Sequence, residues 1–344
     1  MLIRYWIILV FISFGIIVGK YQVFPYDELR YMNNMIVNLK NQLLYYPIPW
    51  HPQKMNANDY FRHIYKTIDF RKNVNCVENI NGSFNLKDET PDYTFFIAGH
   101  TYSKDLGLNE PFYSDVLNSK ENFSFGILAG DVVRENTENS WSFLKKQIGD
   151  LDYKIYISPG NHDITSEFGD VGKEFIENKY GKTYYKFIKN KDLYIILNSN
   201  ISRSNILDEQ LDFFKKTLNE NYKTVKNIFI ISHHLIYLDK NRAPFSEVVP
   251  NGDIPGSKVP NIDLQAKFWS TLYPLLENLN NNIFIISGDT GNFSGKELFC
   301  HKSRNITFLA TGMPGALGPG VGRSMHYLII ESINQIIKIR VRGI

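Results

Sequence analysis

Ser158-Pro159-Gly160-Asn161-His162-Asp163 closes an apolar, strand-like run, Tyr153 to Ser158, and places three side chains that bind metals or carry protons at the end of one strand. Two earlier runs end the same way. Phe125 to Ala129 is followed by Gly130-Asp131, and Tyr93 to Ala98 by Gly99-His100, at nearly equal intervals. Further on, Ile228 to Ser232 delivers His233-His234, and Ile283 to Ser287 delivers Gly288-Asp289. Each of these alone is weak, because a single His at a strand end is usually structural and Gly-Asp is usually a turn. Five in series, each directly after a strand of buried type, point to one site. In an open α/β sheet the carboxyl ends of the strands border the binding crevice. Imidazole, carboxylate and amide donors together suit a first-row divalent ion such as Mn, Fe or Zn.

The constellation resembles the calcineurin-like metallophosphoesterase superfamily over residues 92–344. That family uses Asp-x-His, Gly-Asp-x-x-Asp, Gly-Asn-His-Asp/Glu, a lone His after a later strand, and Gly-His-x-His. His100 fits the His of the first motif and Asp131 the metal-bridging Asp of the second. Asn161 and His162 fit the third, and His233 fits the lone His. The resemblance implies an α/β fold, a four-layer α-β-β-α sandwich of two sheets, and hydrolysis of a phosphate ester by metal-activated water. It also implies that His162 is the general acid protonating the leaving alkoxide, oriented by Asp163.

The departures from the family pattern sort by metal. Ala98 stands where the family has its first Asp, Arg134 where it has the second Asp of its second motif, and Asp289 and Gly291 where it has the two final His. Of the four ligands of one metal, only His100 and Asp131 remain. For the other metal all four positions carry ligand-type residues: Asp131, Asn161, His233 and Asp289. The expectation is therefore one divalent ion per chain. The extra carboxylate of Asp289 moves the preference toward Mn or Mg. His100, freed from a full metal shell, is expected to contact phosphate or water. Arg134 reads as a guanidinium fork for phosphate oxygens or as a solvated residue at the start of the next helix. His234 reads as a substrate contact, or as a surface or supporting neighbour of His233.

With 344 residues, 43% of them hydrophobic, the chain can bury a large core. The net charge of +3 comes from dispersed Lys and Arg, so no nucleic-acid partner is expected. Arg4 precedes an uncharged stretch, Tyr5 to Gly19, and Lys20 closes it. This reads as a transmembrane signal-anchor over residues 1–20, or as a signal peptide with a small-x-small site at Ser13-Phe14-Gly15. Either form exports the domain, to a bacterial periplasm or cell surface, with Arg4 left on the cytoplasmic side. Residues 21–91 then form a helical juxtamembrane segment and a proline-bearing linker. Cys76 and Cys300 are the only cysteines, which excludes a thiolate metal site and leaves open a single disulfide or two free thiols.

Within the domain the pattern predicts helices over 139–148, 207–218 and 263–279, the last being the longest. Hairpins are predicted from Tyr184 to Ile188 with Tyr194 to Asn198, and from Tyr327 to Glu331 with Gln335 to Val341. A strand is predicted from Ile306 to Ala310, followed by a glycine-rich loop from Gly312 to Gly322. The reading these features favour is a membrane-anchored phosphoesterase acting on a phosphorylated small molecule, lipid or glycan. The competing reading is a catalytically silent scaffold of the same fold in envelope or polysaccharide assembly. A serine esterase is disfavoured, since Val132 follows Asp131 and no Gly-x-Ser-x-Gly elbow is present.

Overall fold

Asn227-Ile228-Phe229-Ile230-Ile231-Ser232 and Asn282-Ile283-Phe284-Ile285-Ile286-Ser287 are one strand written twice, and they lie side by side, parallel and in register. Continuous runs of branched and aromatic residues suit strands covered on both faces. The computed structural model describes residues 91–344 apart from 165–176, 179–180, 203, 240, 246–247, 249, 251–266, 291–297 and 314–324. In chain order it contains β1 (Tyr93–Ala98), α1 (Glu110–Leu117), β2 (Phe123–Ala129), α2 (Glu138–Gly149), β3 (Lys154–Ser158), β4 (Tyr185–Lys189), β5 (Asp192–Ile196) and α3 (Asp208–Asn221). There follow β6 (Asn227–Ser232), the single turns α4 (Phe268–Thr271) and α5 (Tyr273–Leu276), β7 (Asn282–Ser287), β8 (Leu298–Ser303), β9 (Ile306–Thr311), β10 (His326–Ile333) and β11 (Ile336–Gly343).

The strands form two mixed sheets, in the orders β11-β10-β1-β2-β3 and β4-β5-β6-β7-β9-β8. Three apolar clusters define the layers. One lies between the sheets and joins Phe95, Ile97, Phe125 and Ile127 to Tyr194, Phe229, Ile231 and Phe284. A second joins Phe96, Leu128 and Tyr327 to Phe112 of α1 and Trp141 of α2. The third joins Ile195, Ile230 and Ile285 to Phe214 of α3, Phe268 and Leu276. The result is an α/β sandwich of four layers.

An aromatic ladder sets the spacing between the sheets. Phe187, Tyr194, Phe229 and Phe284 are register partners across β4 to β7 and stack at centroid distances of 4.5, 4.8 and 4.8 Å. Phe95 meets Tyr194 and Phe229 edge-on, at 5.4 and 5.6 Å. Such pairs add to simple burial because ring edges and faces carry opposite charge. At the amino ends of the parallel strands, the buried Asp192 carboxylate accepts hydrogen bonds from Tyr93 of β1, Asn227 of β6 and Ser332 of β10. That network ties the two sheets together at the end remote from the strand termini that carry the motifs.

Several expectations change in detail. The helix predicted over 263–279 is, within the described residues, two single turns separated at Leu272. Pro274 has no N–H to carry an α-helical hydrogen bond through this point. The longest described helix is instead α3. The second strand of the first hairpin begins at Asp192, because Asn190 and Lys191 both take left-handed φ values (53° and 62°) and close a two-residue turn. α1 and β8 were not predicted. The segments predicted for 1–20 and for 21–90, together with Cys76, Gly291 and most of the glycine-rich loop, lie outside the described residues. Among the described residues no helix is long and apolar enough to cross a membrane. Cys300 is disulfide-bonded.

The strand ends of the two sheets meet through glycine. A Cβ on Gly288, after β7, would overlap the carbonyl oxygen of Ala129 at the end of β2, and a Cβ on Gly99 would overlap the backbone of Gly288. These obstacles are main chain and cannot rotate away. Gly288→Ala is therefore expected to lower the unfolding free energy by about 3 kcal/mol, the upper part of the overpacking range, in urea titrations. A loss under about 1 kcal/mol would show that the strand ends are not packed as tightly as described.

Candidate metal centre

Asp131 follows Gly130, and the two residues take left-handed φ values in succession, 86° and 54°. The first requires glycine twice over, since a Cβ there would also overlap the His233 ring. The second is a non-glycine residue held in a sparsely populated region, a form of strain that gathers at functional sites. His100, after β1, repeats it with φ 57°. These turns bring the Asp131 carboxylate, 1% exposed, between two imidazoles. Oδ2 lies 3.3 Å from His100 Nε2, and Oδ1 lies 3.4 Å from His233 Nε2 and accepts the His162 N–H at 3.0 Å.

His233 is fully buried, and its orientation is set by the backbone. Its Nδ1 lies 3.0 Å from the carbonyl oxygen of Ala129, so that nitrogen carries the proton. Nε2 is left to face Asn161 Oδ1 at 3.2 Å, Asp131 Oδ1 at 3.4 Å and Asp289 Oδ1 at 3.8 Å. Two ligand atoms about 2.1 Å from a shared ion stand about 3.0 Å apart at a right angle and about 3.4 Å apart at a tetrahedral angle. Three oxygens and one imidazole nitrogen with these separations, and a tautomer fixed by a backbone carbonyl, fit a divalent ion. The four groups the sequence assigns to one ion thus come together from β2, β3, β6 and β7.

His234 joins them. The sequence reading offered it as a substrate contact, or as a surface or supporting neighbour of His233; it is buried beside that residue. Its Nδ1 lies 2.8 Å from the Ser199 hydroxyl, and its donor atoms lie within 4.8 Å of those of His233 and Asp289. Burial and the neighbouring His233 push its pKa down to about 3. It is therefore a neutral imidazole, suited to ligate and not to carry charge toward phosphate. Burial likewise brings His100 down to about 4, and its Nδ1 has no hydrogen-bond partner among the described residues.

Asp163 does something other than orient His162. Its Oδ1 accepts from the N–H groups of Val132 (2.8 Å) and Val133 (3.0 Å), and its Oδ2 from Gly160 (2.7 Å). The carboxylate therefore staples the loop after β3 to the loop after β2. Burial and the Asp131 charge push its pKa up to about 6 against these donors. His162 is oriented by the main chain, with Nδ1 2.7 Å from the carbonyl oxygen of Arg134. The Arg134 side chain is exposed, lies ahead of α2 and donates to the Lys104 carbonyl at 2.6 Å. Tyr102 is a site residue that the sequence reading missed. Its ring stacks on His162 at 4.9 Å and meets His100 at 4.8 Å. Nothing in a lone aromatic two residues past a motif marked it.

No family model and no curated protein matches this sequence. Among solved structures, a purple acid phosphatase from yellow lupin (Lupinus luteus) seeds aligns at 12% identity with a TM-score of 0.50. The alignment covers 73% of this chain and 51% of that one, so the chain spans about half that protein's length. A dimetal phosphatase from Danio rerio aligns at 10% identity, covering 74% of this chain and 97% of that one, with a TM-score of 0.48. A phosphopantetheinyl hydrolase from Mycobacterium tuberculosis aligns at 14% identity over 64% of this chain and 90% of that one, with a TM-score of 0.37. The fold is that of the calcineurin-like metallophosphoesterases, as the motifs implied.

Two outcomes are expected. Asp163→Ala strands three buried N–H groups, each costing about 1–3 kcal/mol, and should lower stability by at least about 3 kcal/mol in chemical denaturation, with Asp163→Asn partly restoring it. An alanine variant as stable as the parent would show that the staple contributes nothing. The second outcome concerns pH. Burial alone would lower the His233 pKa, but Asp131 and Asp289 outweigh it and hold it above its ordinary value. A proton on Nε2 competes with an ion there, so Mn²⁺ affinity should rise with pH through the region above 6.5 and level off once His233 is neutral. Calorimetry in buffers of different ionisation enthalpy should show proton release on binding. Affinity that does not change with pH would remove His233 from the ligand set.

Proposed function

We propose that this chain is a metal-dependent phosphoester hydrolase with a single-ion site. One observation carries the reading. The Nε2 of the buried His233, locked by a backbone carbonyl, faces oxygens of Asn161, Asp131 and Asp289 at ligand-to-ligand separations. A divalent ion held by Asp131, Asn161, His233 and Asp289, with His234 beside them, would supply Lewis acidity toward a phosphoryl oxygen and a lowered pKa for an attacking water. Mn, Fe and Zn suit the donors, and Mg suits the oxygen-rich part of the set. His162 is the general acid. With Nδ1 bound to the Arg134 carbonyl, its protonated form presents Nε2–H outward to a leaving oxygen. His100, neutral and against Asp131, holds the other carboxylate oxygen in place.

The substrate class is a phosphate ester on a small molecule, lipid or glycan. The enzyme is anchored by residues 1–20 and works outside the cytoplasm. The uncharged stretch from Tyr5 to Gly19 and the disulfide at Cys300 support that placement, since disulfides persist in oxidising compartments. The silent-scaffold reading has its own observation. Ala98, where the family has a ligand Asp, is fully buried in the cluster of Val132, Val133, Met313 and Met325.

Metal analysis and turnover separate the two. The full-length chain, loaded with Mn²⁺ and desalted, should retain one ion, lost in His233→Ala. It should hydrolyse p-nitrophenyl phosphate or its bis-ester, and chelator or Asp131→Ala should abolish that activity. An ion without turnover would favour the scaffold, and two ions per chain would overturn the single-ion site.

A further inference from the structure

The half of the site that has lost its family ligands is not empty of chemistry. It contains His100, Tyr102 and His162, packed ring to ring beside Asp131, whose Oδ2 faces His100 Nε2. Tyr102 is held there by the backbone. Its N–H donates to the Asp131 carbonyl at 3.1 Å, and it bridges to Leu108, closing the loop of residues 102–108. The loop is braced further by Ser103 N–H to Gly107, Ser103 Oγ to Leu106, and Leu108 N–H to Gln147. The residue is 7% exposed, and its hydroxyl makes no hydrogen bond to any described residue. The hydroxyl oxygen is not among the fully enclosed unpartnered atoms, so it is open to a ligand or to water. Burial first, and then the Asp131 charge, raise its pKa, and the other charges acting on it are Arg134, Asp289 and Asp163, all at or bordering the site. A phenol, with an ordinary pKa of about 10, is protonated at neutral pH and can act as a donor.

We propose that Tyr102 Oη is an electrophilic donor to a phosphoryl oxygen, standing where the family's second metal would otherwise neutralise charge. This rests on the hydrolase reading and adds to it a catalytic residue from outside the family motifs. A hydrogen-bond donor fixed in a buried site needs no reorganisation as charge develops on the phosphoryl oxygens, and loss of one such donor typically costs about 10²–10³ in rate. Tyr102 keeps its proton throughout, and the proton delivered to the leaving group comes from His162. Its stacking on His162 also fixes the distance between the two donors, so one oxygen of the phosphoryl group and the leaving oxygen are addressed together.

The test compares wild type, Tyr102→Phe and Tyr102→Ala as Mn²⁺-loaded full-length chains. Three readings are taken: metal content, kcat and KM on p-nitrophenyl phosphate and its bis-ester, and affinity for orthovanadate by calorimetry. Tyr102→Phe should keep the ion and KM, lower kcat by about 10²-fold and weaken orthovanadate by about tenfold or more. Wild-type kcat and vanadate affinity in Tyr102→Phe would overturn the inference while leaving the hydrolase reading intact. Loss of the ion in Tyr102→Phe would overturn it in favour of a ligand or packing role. If the wild type does not turn over either ester but binds vanadate in a Tyr102-dependent way, the hydrolase reading falls and the donor role stands. A wild type that neither turns over nor binds vanadate overturns both.

Discussion

The site depends on one buried charge. Asp131 is 1% exposed, and a carboxylate taken out of water costs several kcal/mol unless partners return that energy. Here the return comes from several elements at once: His233 from β6, His100 from β1, and the His162 N–H from the loop after β3. Burial would raise the Asp131 pKa, but His233, itself held above its ordinary pKa, and the His162 N–H help to outweigh it, and the carboxyl lies below its ordinary range. The charge is thus kept on the protein at neutral pH by the same groups that assemble the centre. A divalent ion would extend this arrangement, because it brings positive charge to a place already organised around a negative one.

These partners come from different sheets, so the site can be no more exact than the packing between them. β1, β2 and β3 supply His100, Asp131, Asn161 and His162, while β6 and β7 supply His233, His234 and Asp289. The aromatic ladder from Phe187 to Phe284 and the Asp192 network fix the sheets against one another across the middle and at the far end. Gly99 and Gly288 then let the near ends touch through bare backbone. Each device acts on the gap between the sheets, and that gap sets the 3.2 and 3.4 Å separations of His233 from Asn161 and Asp131.

What could be read from the sequence follows from this. The five motif-bearing strands were legible because each is a run of branched and aromatic residues ended by Gly, Pro or Ser, which burial on both faces demands of β1, β2, β6 and β7, while β3 is only half-buried. β8 was not, because Leu298-Phe299-Cys300-His301-Lys302-Ser303 is an antiparallel edge strand with half its residues polar. α1 is only eight residues long, and Pro111 in its first turn made it look like a loop. The assignment of Asp163 to His162 failed for a geometric reason. Adjacent residues in a motif suggest adjacent side chains, yet the two point apart, one to main-chain amides and the other to a main-chain carbonyl. Main-chain partners leave no trace in side-chain identity, which is also why the Ala129 carbonyl behind His233 could not be foreseen.

The surroundings of Ala98 also have a packing logic. Ala98 leaves β1 on the face toward α1 and α2, among Val132, Val133, Met313 and Met325, where an unpaired carboxylate would be strongly unfavourable. On that side three rings stand together: His100, whose Nδ1 has no partner among the described residues, Tyr102, and His162 tied to a carbonyl. His100 and Tyr102 do not bring the fixed positive charge of a metal ion, since burial holds His100 neutral and a phenol carries none. What they offer is direction, because each donor is held by the backbone turn or ring contact beside it. The two sides of Asp131 therefore differ in kind: His233 and Asp289 bring charged and ligand-type groups on one side, and His100, Tyr102 and His162 bring packed rings on the other.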